Sequence, residues 1–308
     1  MNQRTIIYST DIREGLHTNK PIVALESAVL THGLPRPQNL QLAHDMERTV
    51  REDGALPATI GFLDGELHVG LNDAALERLA NEEQVYKVGP RDFATVIARK
   101  ASGGTTVAGT MLACKSATIK VFATGGIGGV HRDAPFDISA DLQALASIPM
   151  IVVCAGAKAI LDLPATLEYL ETMSVPVVGF GTDEFPAFYS RESGLDVSIR
   201  LDTPQEVVEF AQAHWAAGLP SAVLVANPVP ESEAISTSEM EPYIDQANRE
   251  AYAGGTHGKA LTPFLLSRLS ELTEGKSMRT NLALLLSNAQ LAAKIAVAMY
   301  SRQKQRMA

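Results

Sequence analysis

The 308 residues are 46% hydrophobic and 20% charged, apolar enough to bury a large core and too apolar for a disordered chain. The formal net charge of −9 excludes a broad nucleic-acid-binding face, which needs a concentrated positive field, though local basic sites stay open. Only two cysteines occur, Cys114 and Cys154, without a CxxC pair, so they read as reduced interior thiols.

The predicted elements alternate between short apolar runs and amphipathic stretches. The first residues lack the apolar core of an export signal, which points to a cytoplasmic chain without a membrane partner. Ile22–Leu25 reads as a strand and residues 40–53 as a helix, with Leu42, Ala43, Met46 and Val50 on one face. Residues 59–63 and Glu66–Val69 flank Asp64-Gly65, a hairpin signal. A helix over 72–82, a strand around Tyr86 and a helix over 92–101 follow. Residues 105–115 turn from loop into helix. Strand 120–123 feeds the glycine-rich segment 124–129, helix 139–146 precedes strand 150–154, and helical character resumes over 158–173.

Later strands are Val177–Phe180, 197–201 and 221–226, with a helix over 203–217. Residues 228–241, rich in Pro, Glu and Ser, read as a loop acting as lid or hinge. Residues 282–300 have membrane-like hydropathy but carry Ser287, Asn288, Gln290 and Lys294, so the helix expected over 281–302 is one packed on protein or on another subunit. This alternation predicts an α/β fold with a mixed, mostly parallel central sheet, organised as a single domain over 1–308.

Several residues carry chemistry in this pattern. Lys158 follows an apolar run that delivers its amine towards the interior, where desolvation favours the neutral, nucleophilic form. Alternatively it caps the strand end, snorkels to water or pairs with Asp162. Glu26 stands just past a strand, at the end where α/β sheets collect ligands, and is either a proton donor or a cap on the 27–31 turn. Segment 124–129 suits an anion or is simply a tight turn; it lacks the spacing of a dinucleotide site or a P-loop. Residues 102–106 are equally ambiguous.

Asp137 and Asp141 are four apart, which on a helix would put both carboxylates on one face, for a hard divalent cation or merely for capping. No zinc spacing occurs among the seven histidines, and His131 is notable for following the glycine loop. Lys87 and Arg91 are phosphate ligands or solvated cations, and Asn281 reads as a helix N-cap.

Together these segments resemble the pseudouridine-5′-phosphate glycosidase family, also called indigoidine synthase A-like. The resemblance rests on Ala-Leu-Glu-Ser (24–27) with Thr-His-Gly-Leu-Pro-Arg-Pro-Gln-Asn (31–39), Ala-Thr-Gly-Gly-Ile-Gly-Gly-Val-His-Arg (123–132), Phe-Asp-Ile-Ser-Ala-Asp-Leu (136–142) and Val-Val-Cys-Ala-Gly-Ala-Lys-Ala-Ile-Leu-Asp (152–162). It continues through 181–190, 226–231, 258–266 and the Asn281 region, covering nearly the whole chain.

The resemblance implies a three-layer α/β/α fold, a homotrimer and reversible cleavage of pseudouridine 5′-phosphate to uracil and ribose 5-phosphate. It implies Lys158 as Schiff-base nucleophile, Glu26 as proton donor and Asp137 at a divalent metal, typically Mn²⁺. Lys87, Val107 through its backbone, Ser139, Ala140, Asp141, His131 and Asn281 match substrate-site positions. The connection from Arg132 to Phe136 is shorter than the usual family segment and flanks the metal position. Another imine-forming sugar-phosphate lyase, or a catalytically silent sugar-phosphate-binding protein, would share much of this pattern.

Overall fold

Aliphatic runs such as Ile22–Leu25, Ile151–Cys154 and Val223–Ala226 are buried along their whole length, as strands covered on both faces must be. The computed structural model describes residues 6–132, 134–256 and 258–307. The strands are β1 (Ile6–Tyr8), β2 (Ile22–Leu25), β3 (Leu56–Leu63), β4 (Glu66–Val69), β5 (Tyr86–Val88), β6 (Gly103–Thr105), β7 (Val121–Ala123), β8 (Val130–His131), β9 (Ala134–Ile138), β10 (Ile151–Cys154), β11 (Leu161–Asp162), β12 (Val177–Phe180), β13 (Ile199–Leu201) and β14 (Val223–Ala226). The α-helices are α1 (Thr10–His17), α2 (Gln38–Glu52), α3 (Asp73–Asn81), α4 (Phe93–Arg99), α5 (Val107–Ala117), α6 (Ala140–Ser147), α7 (Leu163–Thr172), α8 (Pro204–Ala216), α9 (Thr237–Ala253), α10 (Leu261–Leu272) and α11 (Lys276–Met307).

The main sheet runs β1-β4-β3-β2-β7-β10-β14-β12-β13, with β6 also on β3 and β5 on β6. From β3 through β2, β7, β10, β14 and β12 to β13 every pairing is parallel, so the carboxyl ends of these strands lie on one edge. The β3–β4 pair is antiparallel, closed by Asp64 and Gly65 with φ of 52° and 81°, the left-handed pair a type I′ hairpin needs. The mixed, mostly parallel α/β reading therefore holds. Helices α2, α8 and α11 cover one face and α5 and α6 the other, giving three layers.

The stretch Lys276–Arg302 of α11 is long and apolar enough to cross a membrane, but it lies along β2, β7 and β10 between α2 and α8, and its apolar side belongs to the core. Cys114 and Cys154 are buried in that core, which pushes both thiols up.

Several expectations change. Residues 158–173 are not one helix: a turn and the short β11 precede α7, whose start is set by the Asp162 cap and Pro164. The 228–241 segment is a 3₁₀ turn at Glu231–Glu233 followed by the first turn of α9, capped by Ser236, so it is not a continuous loop. Asn281 lies in the second turn of α11, buried, and is not its N-cap; the helix already begins at Lys276. Asp133, in the shortened connection, lies outside the described residues.

Candidate active site

Glu26 leaves the carboxyl end of β2, and the neighbouring ends of β7, β10 and β14 supply Thr124, the Ala155 to Lys158 turn and Asn227. The Thr124 hydroxyl donates to Glu26 Oε1. Glu26 thus bonds across to β7 and does not cap the 27–31 turn, where Thr31 N instead donates to the Ser27 carbonyl at 3.0 Å. Burial pushes the Glu26 carboxyl up from its ordinary value; Lys158, the Thr124 hydroxyl and Lys87 pull it down, while Asp141 adds to the rise. Those opposing influences place two lysines and a second carboxylate within electrostatic reach of Glu26.

Lys158 sits in a turn held to the glycine loop. Ala155 N donates to Gly125 O at 2.8 Å, Ile127 N to Gly156 O at 3.1 Å and Lys158 N to Ile127 O at 3.1 Å. Gly156 (φ 86°) is required there: a Cβ would stand 2.1 Å from the Pro186 carbonyl oxygen. The Lys158 side chain is partly buried rather than fully interior. Asp162 caps α7, accepting from Ala165 N at 3.0 Å, and no Lys158–Asp162 ion pair, one of the alternatives left open by the sequence, occurs among the described residues.

The two aspartates separate. Asp137 stands on strand β9, exposed, beside Phe136, which is 97% exposed. Asp141 is in the first turn of α6, 6% exposed, its Oδ1 accepting from Ala108 N at 2.9 Å and Oδ2 from Gly128 N at 2.8 Å. The shared helical face expected from their spacing does not exist, because Ser139 caps α6 and residues 134–138 pair with β8. Asp141 is a tie between the start of α5 and the glycine loop.

His131, on β8, feels Asp137, Lys158 and Lys87; burial lowers its ring and Asp137 opposes that. Lys87 on β5 is therefore near both Glu26 and His131. Val107, buried, is the first residue of α5, and Ser139 and Ala140 open α6. Asp141, in the first turn of α6, accepts from Ala108 N in the first turn of α5, so the two helix starts lie side by side, and helix starts present backbone amides suited to anions. Arg91 is exposed in the 3₁₀ turn Pro90–Asp92, and no contact joins it to this group among the described residues.

No group of three or more His, Cys, Asp or Glu side chains that could hold a metal occurs among the described residues. An exposed Asp137 with His131 beside it fits a hard cation that keeps most of its waters, not one caged by protein. Thr124, the hydrogen-bond partner of Glu26, is not singled out by the motifs, although a hydroxyl at a strand end before a glycine loop is a visible signal.

The model of the indigoidine synthase A like protein family matches residues 11–298. The chain belongs to this family. Among its relatives, the pseudouridine-5′-phosphate glycosidase of Caldanaerobacter subterraneus subsp. tengcongensis is 50% identical over 96% of both chains. That of Paracoccus denitrificans is 53% identical over 96% of this chain and 98% of the relative. Two solved structures share the fold of this chain. An indigoidine synthase A-like protein from Thermotoga maritima superposes with a TM-score of 0.88 at 37% identity, covering 96% of each chain. The prealnumycin C-glycosynthase AlnA in complex with ribulose 5-phosphate superposes with a TM-score of 0.91 at 38% identity, covering 99% of this chain and all of that one.

Proposed function

We propose that this chain is a pseudouridine-5′-phosphate glycosidase, a single catalytic domain of the cytoplasm that reversibly cleaves the C–C glycosidic bond to give uracil and ribose 5-phosphate. The relatives at about half identity over nearly the full length support the activity. The observation that carries the site is the meeting of Glu26 and Lys158 at one sheet edge, with Thr124 and Lys87 beside them.

In this reading the Lys158 amine attacks C1′ as the bond from C1′ to the ring oxygen breaks, opening the ribose, and the surplus proton on the nitrogen passes to the freed oxygen. The leaving atom is carbon, so departure of uracil needs a proton delivered to its C5. Glu26, whose carboxyl burial holds up, supplies it as the C1′–C5 bond breaks, leaving an imine between Lys158 and the sugar. Water then hydrolyses the imine, releasing ribose 5-phosphate and restoring the amine. The starts of α5 and α6, through Val107, Ser139 and Ala140, orient the phosphate together with Lys87, while His131 and Asn281 line the sugar and base. Asp141 serves that pocket by holding its two backbone walls together.

Asp137 would hold a divalent cation, Mn²⁺ in this reading, and such an ion supplies positive charge to substrate oxygens. The homotrimer is proposed alongside; Phe136, nearly fully exposed, marks a surface suited to a neighbouring subunit. The likeness to a C-glycosynthase favours a second reading, the same bond chemistry on another base. Uracil release from pseudouridine 5′-phosphate, with and without Mn²⁺ and beside uridine 5′-phosphate and simple sugar phosphates, tests both. No uracil release from the metal-loaded, folded protein would refute the first.

A further inference from the structure

Asn288 lies mid-way along α11 and is fully buried, flanked by Leu284, Leu285, Ala289 and Ala292, which are themselves buried. An amide in such surroundings is costly unless every hydrogen-bonding group is matched. Here they are. Its Nδ2 donates to the Thr124 carbonyl at 2.8 Å and, longer, to the Gly125 carbonyl at 3.3 Å; its Oδ1 accepts from Asn227 Nδ2 at 3.0 Å. Asn227 also donates to Ser287 Oγ at 3.0 Å and, through its backbone, to Cys154 O at 2.8 Å.

One side chain therefore ties together the carboxyl ends of β7 and β14 and, through Asn227, that of β10. The carbonyls it holds are one step from the reacting groups. Thr124 carries the hydroxyl that donates to Glu26, and the Gly125 carbonyl also accepts from Ala155 N, where the Lys158 turn begins. Its bonds all run to the loop and strand ends, so the amide at this position answers to the loop.

We propose that Asn288 is a positioning residue that keeps Glu26 and Lys158 in register by fixing the loop between them. This rests on the reading of Glu26 as acid and Lys158 as nucleophile. The charged groups facing Glu26 are Lys158, Lys87 and Asp141, none of them on α11, so Asn288→Ala changes no charge around the carboxyl.

The test is the pH dependence of kcat for Asn288→Ala and Thr124→Val against wild type, with the melting temperature of each. Glu26 acts protonated, so turnover fades as pH rises through its ionisation. The Thr124 hydroxyl favours the ionised form, and losing it moves that alkaline limb to higher pH by about one unit in Thr124→Val. Asn288→Ala is expected to move it in the same direction, to lower kcat by about tenfold, and to slow borohydride trapping of ribose 5-phosphate on Lys158. An Asn288→Ala protein that folds, melts lower and keeps the wild-type limb and kcat overturns the proposal, because Asn288 then only stabilises. If Asn288→Ala does not fold, Asn227→Ala, which removes the donor to Asn288 Oδ1 and to Ser287 Oγ but leaves the Asn288 bonds to the Thr124 and Gly125 carbonyls, is expected to shift the limb the same way, and an unmoved limb there overturns the proposal equally. Full turnover by Glu26→Gln would instead remove the underlying reading of the site; a dead Glu26→Gln beside an unmoved Asn288→Ala removes only the role of Asn288.

Discussion

Replacing Asp141 by Asn separates a tie from a ligand. Asp141 is 6% exposed and both its oxygens accept backbone N–H groups, from Ala108 at 2.9 Å and Gly128 at 2.8 Å. The amide keeps one acceptor and turns an N–H donor against the other N–H. One orphaned buried donor and one weakened charge-assisted bond cost about 2–4 kcal/mol. With an unfolding entropy of about 2.1 cal/mol/K per residue, a chain of 308 residues should lose ~3–6 °C in melting temperature. Asp137→Asn, on the exposed strand β9, should melt within ~1 °C of wild type. Thermal unfolding by circular dichroism or calorimetry distinguishes them. A second readout has its own sign: the Asp141 charge raises the Glu26 ionisation, so its removal should move the alkaline limb of kcat to lower pH. Equal melting of Asp141→Asn and wild type, or a lower melting temperature for Asp137→Asn alone, would refute the division of roles between the two aspartates.

Glu26→Gln should abolish uracil release yet stabilise the fold. The native carboxyl ionises at higher pH than the unfolded one, so the native state binds more protons and stability falls as pH rises through that window; the amide escapes this loss. Its melting temperature should exceed that of wild type at pH 8 and converge with it towards pH ~4; a lower value at pH 8 would contradict the sign. Lys158→Ala should leave no borohydride-trappable adduct with ribose 5-phosphate, whereas wild type gains one sugar-phosphate mass, read by mass spectrometry. Adduct on another lysine would displace Lys158 from the mechanism. Gly156→Ala, which drives a Cβ against the Pro186 carbonyl, should cost about 2 kcal/mol or more and lower kcat with it, and a neutral effect in denaturant titration would mean that the turn is free to shift.

Strand ends were legible because chemistry and periodicity coincide there: Ile22–Leu25 running into Glu26, and the apolar run ending before Lys158, each mark a sheet edge. The proximity of Glu26 to Lys158 is a product of parallel pairing through β7, which no local window contains. The four-residue spacing of Asp137 and Asp141 suggests a shared face only if both stand on one helix, and the capping Ser139 begins the helix at Ala140, as the expected helix over 139–146 already implies. Asn281 misled for the opposite reason: Lys276 and Ser277 carry no apolar period, so the first turn of α11 is invisible to hydropathy. Asn288 was visible as a break in an apolar run, but its partners at residues 124, 125 and 227 lie on other elements.

The pairing of β7 with β10 does not stop where the strands do. A parallel bridge between Ile127 and Ala157 carries it into the loops, so the turn that bears Lys158 is an outgrowth of the central sheet. Its amides share the protection of the core, and local fraying has no easy purchase on them. Loss of activity on heating or in denaturant should then coincide with collapse of the whole sheet, as one transition, and under the proposed mechanism Lys158 should need no ordering step when substrate arrives.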